Sequence, residues 1–224
     1  MTKLLFSPPA LGNVLSLTGL PGGGNKIHDR SPYGNTATIV GATWVRLPGG
    51  LWCLSFDGSD DYISCADANS LDIAESLTLE LWLKFLDTPP AGTAWSIMEK
   101  GGRGGSTNNF ALYTATNSTA LRFGAAFNNA WASFSAISTA LGTTNWHHVA
   151  ITYDGKTVKA YLDAVRDLNQ AKTGALSTNN NALLICGTSQ YVKGYSVLQR
   201  IYNRALTALE IQNHFNQEKH LFGV

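Results

Sequence analysis

Charged residues are scarce in this chain. Only 14% of its 224 residues are Asp, Glu, Lys or Arg, against about 25% in an average globular protein. The formal net charge is +1, and no long run of Lys or Arg occurs. The electrostatic attraction that drives nucleic-acid binding therefore has no visible source. We predict no nucleic-acid partner.

The chain also lacks an apolar run long enough to cross a membrane. In its N-terminal stretch, residues 1–25, a short apolar patch is interrupted by Pro8, Pro9 and Gly12, which excludes an apolar helix of signal-peptide or membrane length. We predict no membrane span and no classical signal peptide, and we interpret residues 1–24 as an N-terminal strand and connection. A role outside a cell would require export without a leader, placement on a particle, or prior removal of a leader.

Cysteine is the third scarcity. Cys53, Cys65 and Cys186 show no metal-ligand spacing, and their odd number excludes a disulfide framework. One pair remains open, because a register that places Phe56 opposite Tyr62 also places Cys53 opposite Cys65. A register shifted by one residue pairs Phe56 with Ile63 and groups the apolar side chains better on one face. We favour the shifted register, with free buried thiols.

The chain is rich in glycine and in short apolar segments. Its 22 glycines suit turn-rich β structure, and 44% hydrophobic residues can bury the core of a single domain over residues 1–224. Segments typical of strands recur between turn signals, which indicates a sandwich or barrel. They are residues 36–45, 51–56, 61–65, 76–85, 93–100, 109–116, 120–127, 131–137, 146–154, 157–165, 182–187 and 195–203.

Two segments carry the clearest local signals. Leucine at every second position of residues 76–85 predicts a core-facing side, and Trp82 on the opposite side predicts a strand covered on both faces at that point. Near the end of the chain, Thr207 followed by Glu210 forms a capping box, which predicts a helix over residues 207–217.

Four stretches, in this order, resemble the laminin-G-like, concanavalin A-like jelly-roll domains. The resemblance covers residues 25–216 and implies two antiparallel sheets, one convex and one concave, with the terminal helix at the edge. It also implies an extracellular surface or virion location. The stretches are "DRSPYGNTATIVGATWV" (29–45), "LSFDGSDDYISCADANSLDIAESLTLELWLK" (54–84), "NWHHVAITYDGKTVKAYLDAV" (145–165) and "RIYNRALTALEI" (200–211).

The resembled family consists mostly of glycan-binding or protein-binding modules, with a minority branch of glucan-cleaving enzymes. The enzymes need the pattern Glu-x-Asp-x-x-Glu. Here Glu75 and Glu80 have the outer spacing, but Leu77 replaces the Asp, and five residues along a strand place the two Glu on opposite faces. We predict that the protein is not an enzyme.

Other apparent chemical motifs also favour structural roles. His147 and His148 are adjacent, so on a strand their imidazoles point to opposite faces and cannot readily share one ion. The glycine-rich segments 19–25 and 100–106 lack the Gly-Lys-Ser/Thr ending of a phosphate-binding loop. We interpret them as flexible connections, the second at the rim of the domain.

Calcium is the one cofactor that the resemblance implies. Related domains draw its ligands from an early Asp-x-Ser segment and from an acidic pair before the "RIYNRAL" strand. This chain keeps Asp29, with Asn35 as the second expected ligand, but Val197 and Leu198 stand at the acidic pair. A hard cation needs about six to eight oxygen ligands. With Val197 and Leu198 at the acidic pair, two charged ligands would be missing. The alternative is that Asp29 accepts hydrogen bonds in a turn.

The stretch "FDGSDDYI" (56–63) places three carboxylates around Gly58. We interpret it as a hairpin signature rather than a cation site, because Asp57-Gly58 suits a tight turn. Asp60 and Asp61 alternate in direction as the next strand begins, so the carboxylates need not converge.

Ligand binding is assigned to aromatic residues that the framework does not explain. Trp131 and Trp95 follow turn-rich segments and are predicted to stack against a sugar near loops, with Asn128, Asn129 and Asn108 as neutral hydrogen-bond partners. The alternative for either tryptophan is that it only caps an end of the sandwich. The leading hypothesis is a non-catalytic domain that binds a glycan or glycoprotein surface through a loop-lined face. The alternative is a structural protein of a virus or phage particle, which uses the sandwich for oligomer or particle assembly.

Overall fold

The structure is a computed structural model that describes residues 11–18, 21, 24–187 and 190–224. The interpretation of residues 1–24 as a strand and connection is therefore tested only in part, and the predicted strand is present as β1 (Asn13–Leu17). Most of the glycine-rich segment 19–25 lies outside the described residues. No helix in the described part of the chain is both long enough and apolar enough to cross a membrane.

Sixteen strands and one α-helix are assigned among the described residues. They are β1 (Asn13–Leu17), β2 (Lys26–Ile27), β3 (Ala37–Val40), β4 (Thr43–Arg46), β5 (Trp52–Asp57), β6 (Tyr62–Cys65), β7 (Leu77–Phe85), β8 (Ser96–Lys100), β9 (Phe110–Thr114), β10 (Leu121–Phe127), β11 (Ala130–Ile137), β12 (His147–Tyr153), β13 (Thr157–Leu162), β14 (Val165–Ala171), β15 (Leu183–Ile185), β16 (Lys193–Tyr202) and α1 (Ala208–Glu218).

The strands form two antiparallel sheets of eight. We call the first the helix-side sheet; its order is β14-β13-β12-β7-β16-β5-β4, with β1 paired to β16. The second, which we call the far sheet, has the order β11-β10-β9-β8-β15-β6-β3-β2. This arrangement confirms the predicted two-sheet sandwich with a single C-terminal helix.

Strand β7 shows how sequence alternation builds the layers. Leu77, Leu79, Leu81 and Leu83 belong to the main core between the sheets. Trp82 points to the other side, where it is fully buried against residues of the C-terminal segment. The predicted cover on both faces of this strand is therefore present.

Helix α1 begins where the capping box predicts. Thr207 is the N-cap: its hydroxyl accepts a hydrogen bond from the Glu210 amide, and the Glu210 carboxylate accepts one from the Thr207 amide. Arg204 also pairs with Glu210. The hydrogen bond from Arg204, together with those from Thr207, lowers the pKa of Glu210 to about 2.

The predicted hairpin at residues 56–63 is wrong. Strand β5 pairs with β4 and β16, whereas β6 pairs with β3 and β15. The link between them crosses from the helix-side sheet to the far sheet, and the amide of Asp57 donates to the Asp61 carboxylate (2.8 Å) within it. Turn-forming residues predict a reversal of the chain, but they do not encode the sheet to which the next strand belongs.

All three cysteines are free and buried. Both registers considered for Cys53 and Cys65 fail, because the two residues belong to strands of different sheets, but the preference for free thiols is confirmed. Burial raises the pKa of Cys53 and Cys186 to about 12 and that of Cys65 to about 11. These thiols are therefore protonated and poorly reactive at neutral pH.

Candidate functional site

The outer face of the helix-side sheet is closed by α1 and the chain end. Trp82 stacks on Phe215 and Phe222 at centroid distances of 5.7 and 4.0 Å, and its indole Nε1 donates to the Glu218 carboxylate (2.7 Å). These contacts cover the centre of the sheet with aromatic rings. Solvent and ligands have no access to Trp82, which is 0% exposed.

Beside this aromatic stack lies a buried charge network centred on Glu80. Nε2 of His148 and Nδ1 of His214 each donate to Oε1 of Glu80 at 2.9 Å. Arg200 pairs with Glu80 at 3.5 Å and also with Glu218, and the Tyr202 hydroxyl lies 3.4 Å from Glu80. The network therefore connects three strands, β7, β12 and β16, to the helix.

The network sets the protonation of its members. Burial alone would raise the pKa of Glu80, but the hydrogen bonds from His148 and His214 and the charge of Arg200 lower it well below its usual value. Burial likewise opposes charge on His214, yet its bond to Glu80 raises its pKa. A fully buried carboxylate held ionised by cations from neighbouring elements fits a structural role.

The adjacent histidines occupy separate environments, as predicted. His147 bonds Asp163 at 2.9 Å and the carbonyl oxygen of Leu141 at 3.0 Å. His148 is fully buried against Glu80, and its Nδ1 has no hydrogen-bond partner among the described residues. The two imidazoles do not converge on a common site.

On the outer face of the far sheet, strands β9, β10 and β11 carry a tryptophan that is only half-buried. Trp131, on the edge strand β11, alternates with Ala132 and Phe134, which pack on the core. Its indole instead lies over Gly124 of β10: a Cβ atom at Gly124 would be 2.4 Å from Cζ2 of the ring. The missing side chain at Gly124 therefore provides the space in which the half-buried Trp131 ring rests.

Two arginines and a tyrosine belong to the same outer face as this ring. Arg122 and Tyr113 are cross-strand partners on the same outer face, and Nη2 of Arg122 donates to the Ser133 hydroxyl (3.0 Å). The guanidinium of Arg103, from the loop between β8 and β9, lies 5.0 Å from the Tyr113 ring centroid. We call Trp131, Arg122, Tyr113 and Arg103 the open-face cluster.

The sequence prediction missed three of these four residues. The alternation of Phe110 and Leu112 with Tyr113 would have placed Tyr113 outward, and the core pattern of β10 would have done the same for Arg122. Arg103 gave no comparable signal, because its position depends on the path of a glycine-rich loop.

The predicted asparagines support the loops around the cluster. Asn128 and Asn129 form the β10–β11 turn with φ of 50° and 60°, a conformation that Asn adopts at low cost. The Asn128 side chain accepts from the Ala175 amide (2.9 Å), and that of Asn129 accepts from the Ser177 hydroxyl (2.9 Å). Asn108 lies nearby, because its carbonyl accepts from the Ala126 amide.

Trp95 does not belong with this group. It is 4% exposed, lies in the main core and packs against Phe85 at 5.5 Å between ring centroids. Its predicted role as a sugar contact is therefore wrong: the segment before it contains turn residues, but the strand returns the indole to the space between the sheets.

A buried lysine lies at the base of the loop that carries Arg103. Lys100 is 0% exposed, and its ammonium donates to Asp67 (2.6 Å) and to the carbonyl oxygens of Asn179 (2.5 Å) and Asn181 (3.1 Å). Asn179 in turn donates to the carbonyl of Thr107 (3.1 Å) within the same loop. The buried ammonium is therefore connected to this rim loop through Asn179.

The two residues predicted as calcium ligands do lie together. Both carboxylate oxygens of Asp29 already accept hydrogen bonds, at 2.5–2.8 Å, from Ser16, from Ser31 twice and from the Asn35 amide. The Asn35 side chain donates to Val14 and Ser70. A cation would have to displace these donors, so the geometry fits the alternative of a turn residue better; calcium binding itself stays a prediction.

The carboxylates of Asp57, Asp60 and Asp61 converge, contrary to the expectation for this stretch. Their ligand atoms lie within 4.8 Å of one another. Asp61 is 6% exposed, and burial raises its pKa despite the hydrogen bond from the Asp57 amide. Acidic groups at this separation fit a hard cation, but the convergence is also what the tight turn itself produces.

The sheet order and the face-to-face packing define an all-β jelly-roll sandwich. The chain belongs to the concanavalin A-like lectin/glucanases superfamily, whose model matches residues 57–212. A comparison with curated proteins found no match.

Several solved structures share the fold at low identity. The binding domain of Paraclostridial Mosquitocidal Protein 1 has a TM-score of 0.70 at 15% identity, covering 92% of this chain and 52% of that one. The botulinum neurotoxin serotype D ligand binding domain in complex with N-acetylneuraminic acid gives 0.70 at 14%, with 92% and 50% covered. The chain thus spans about half the length of these toxin domains.

A third structure matches over nearly its full length. Domain 4 of AbnA, an extracellular arabinanase from Geobacillus stearothermophilus, solved in complex with arabinotriose, has a TM-score of 0.69 at 18% identity, with 90% of this chain and 97% of that chain covered. Identities this low establish a common fold, and the function of this chain must be argued from its own residues.

Proposed function

We propose that this protein is a non-catalytic recognition domain that binds glycan chains through the open-face cluster of the far sheet. The observation that carries the proposal is the position of Trp131, whose indole rests over Gly124 on an outward face. A ring held on one side by the sheet and half-buried overall leaves its other side free for a ligand.

A supported indole suits a sugar because both have an apolar face and polar edges. Trp gives a large contact area with little conformational freedom to lose, and aromatic residues with Arg dominate the energy of many recognition surfaces. Arg122, Tyr113 and Ser133 supply hydrogen-bonding groups around the ring. The fold supports the same conclusion in a general way, since two of the similar domains were solved in complex with sugars.

The arrangement of carboxylates favours binding without hydrolysis. Glycosidases of the retaining type place two carboxyl groups about 5–5.5 Å apart beside the bond that they cleave. Among the described outward-facing residues of β8 to β11, Glu99 is the single carboxylate, and it is 4% exposed with a hydrogen bond from Ser96 (2.8 Å). Glu80 is enclosed in its own network on the other sheet.

The proposal is tested by screening the protein on a glycan array and then measuring the affinity for the best ligand by calorimetry. Trp131→Ala should weaken binding about tenfold or more, while changing the free energy of unfolding by less than about 1 kcal/mol. Trp52→Ala is the matched control, since Trp52 is a half-buried tryptophan of the helix-side sheet. Absence of binding to every glycan, or equal losses for the two variants, would contradict the proposal.

A further inference from the structure

Positive charge in the open-face cluster is not neutralised by the protein. Arg122 has one hydrogen-bond partner among the described residues, the Ser133 hydroxyl, although a guanidinium offers five N–H donors. Arg103 lies over the Tyr113 ring. Within the described chain, no carboxylate lies within 4.0 Å of either guanidinium.

The two arginines contribute to the same outer face from neighbouring parts of the sheet. Tyr113 is directly opposite Arg122 on the neighbouring strand, and Arg103 is held over that same tyrosine. Strands in a sheet are about 4.8 Å apart. The outer face around Tyr113 therefore carries two cations, and the N–H donors of Arg122 other than the one bonded to Ser133 have no partner among the described residues.

Glu99, the single carboxylate among the described outward-facing residues of β8 to β11, is placed where it does not cancel the charge. Glu99 is opposite Ala111 on β9, which is opposite Gly124 on β10. It is therefore two strands, or about 10 Å, from the strand that bears Arg122. Its buried side chain is also bonded to Ser96, so an anion beside Arg122 would meet an attractive field.

The distance between Trp131 and Arg122 is one that a single ligand can span. Trp131 lies over Gly124, two residues along β10 from Arg122, which corresponds to about 7 Å. A sugar ring on the indole could thus direct a substituent to Arg122. A planar carboxylate can accept two parallel hydrogen bonds from a guanidinium.

We propose that the open-face cluster selects acidic glycans, with a sugar ring on Trp131 and its carboxylate, or that of the adjacent residue, bound by Arg122 and attracted by Arg103. This inference rests on the proposed glycan-binding function and specifies its ligand class. Uronic and sialic acids share the required chemistry, so both are included in the test.

Calorimetry with three oligosaccharide probes tests the inference: a galacturonate oligomer, sialyllactose, and the galacturonate oligomer with its carboxyl groups reduced to alcohols. We expect at least one acidic probe to bind about tenfold more tightly than the reduced probe, with an affinity that falls as salt is raised. Arg122→Gln should remove this preference, and Arg122→Lys should retain part of it. Arg166→Gln, at an exposed arginine of β14, is the matched control and should retain all of it.

The outcomes separate the two proposals. Binding of neutral glycans that Trp131→Ala abolishes, with no acidic preference or with a preference insensitive to Arg122→Gln, would overturn the ligand class and leave glycan recognition intact. Binding of sulfated glycans without carboxylated ones would also overturn the ligand class. If no probe and no arrayed glycan binds, both proposals are wrong.

Discussion

The two outer faces of this sandwich use the same residue types in opposite ways. On the helix-side sheet, Trp82 is fully buried under two aromatic rings and Arg200 pairs with two carboxylates. On the far sheet, Trp131 is covered on one side by the strand beneath it, and Arg122 is bonded to a single hydroxyl. A tryptophan or an arginine in a sequence therefore indicates function only when its partners are known.

Among the effects that we predict from this comparison of the two faces, the largest is the loss of stability on substituting Glu80. Glu80→Gln preserves the shape but leaves Arg200 and His214 without their shared anion, so we expect the free energy of unfolding to fall by about 3–5 kcal/mol. Urea denaturation measures this loss. Glu75→Gln is the control, because Glu75 is exposed at the entry of the same strand, and its effect should be within about 0.5 kcal/mol. Equal effects of the two substitutions would contradict a structural role for the network.

Substitution of Lys100 is expected to have a smaller effect on stability and also to weaken binding. Lys100→Met removes the ammonium that holds Asp67 and two carbonyl groups, and should cost about 2–3 kcal/mol. Because Asn179 connects this site to the loop that carries Arg103, affinity for an acidic glycan should also fall. Lys193→Met, at an exposed ion pair with Asp87, should change neither quantity measurably. Unchanged binding by a folded Lys100→Met protein would show that the loop position does not matter.

The smallest expected effect is a pH dependence confined to the helix-side face. The bond to Glu80 raises the pKa of His214 above its ordinary value in spite of burial. Its stabilising contribution is therefore complete below about pH 6.5 and declines as the pH rises through the native pKa. The difference in unfolding free energy between wild type and His214→Gln should shrink over this range. A difference that stays constant would contradict the charged His214–Glu80 pair.

Much of the framework could be read from local sequence patterns, and the exceptions have physical reasons. Alternating leucines predicted β7, and the capping box predicted the start of α1, because both signals arise within one element. The hairpin at residues 56–63 failed because sheet membership is decided by distant partners of β5 and β6. The four stretches that resemble the family, taken in their order, nevertheless predicted the two-sheet sandwich correctly.

The candidate site was predictable only in part. Trp131 was found because no core position explained it, and Trp95 was misassigned because its burial depends on how a loop enters β8. Tyr113 and Arg122 could have been found by comparing the alternation of β9 and β10. Arg103 could not, since it belongs to a loop that bonds Asn179, a residue distant in sequence.

The position of β16 also has a consequence for how the chain is made. This late strand lies between β7 and β5 in the middle of its sheet and also pairs with β1, where Asn13 bonds a residue 188 positions away. Contacts of such sequence separation form slowly. During synthesis, β5 and β7 therefore keep these edges unpaired until residues 193–202 have left the ribosome, and unpaired strand edges are prone to aggregation.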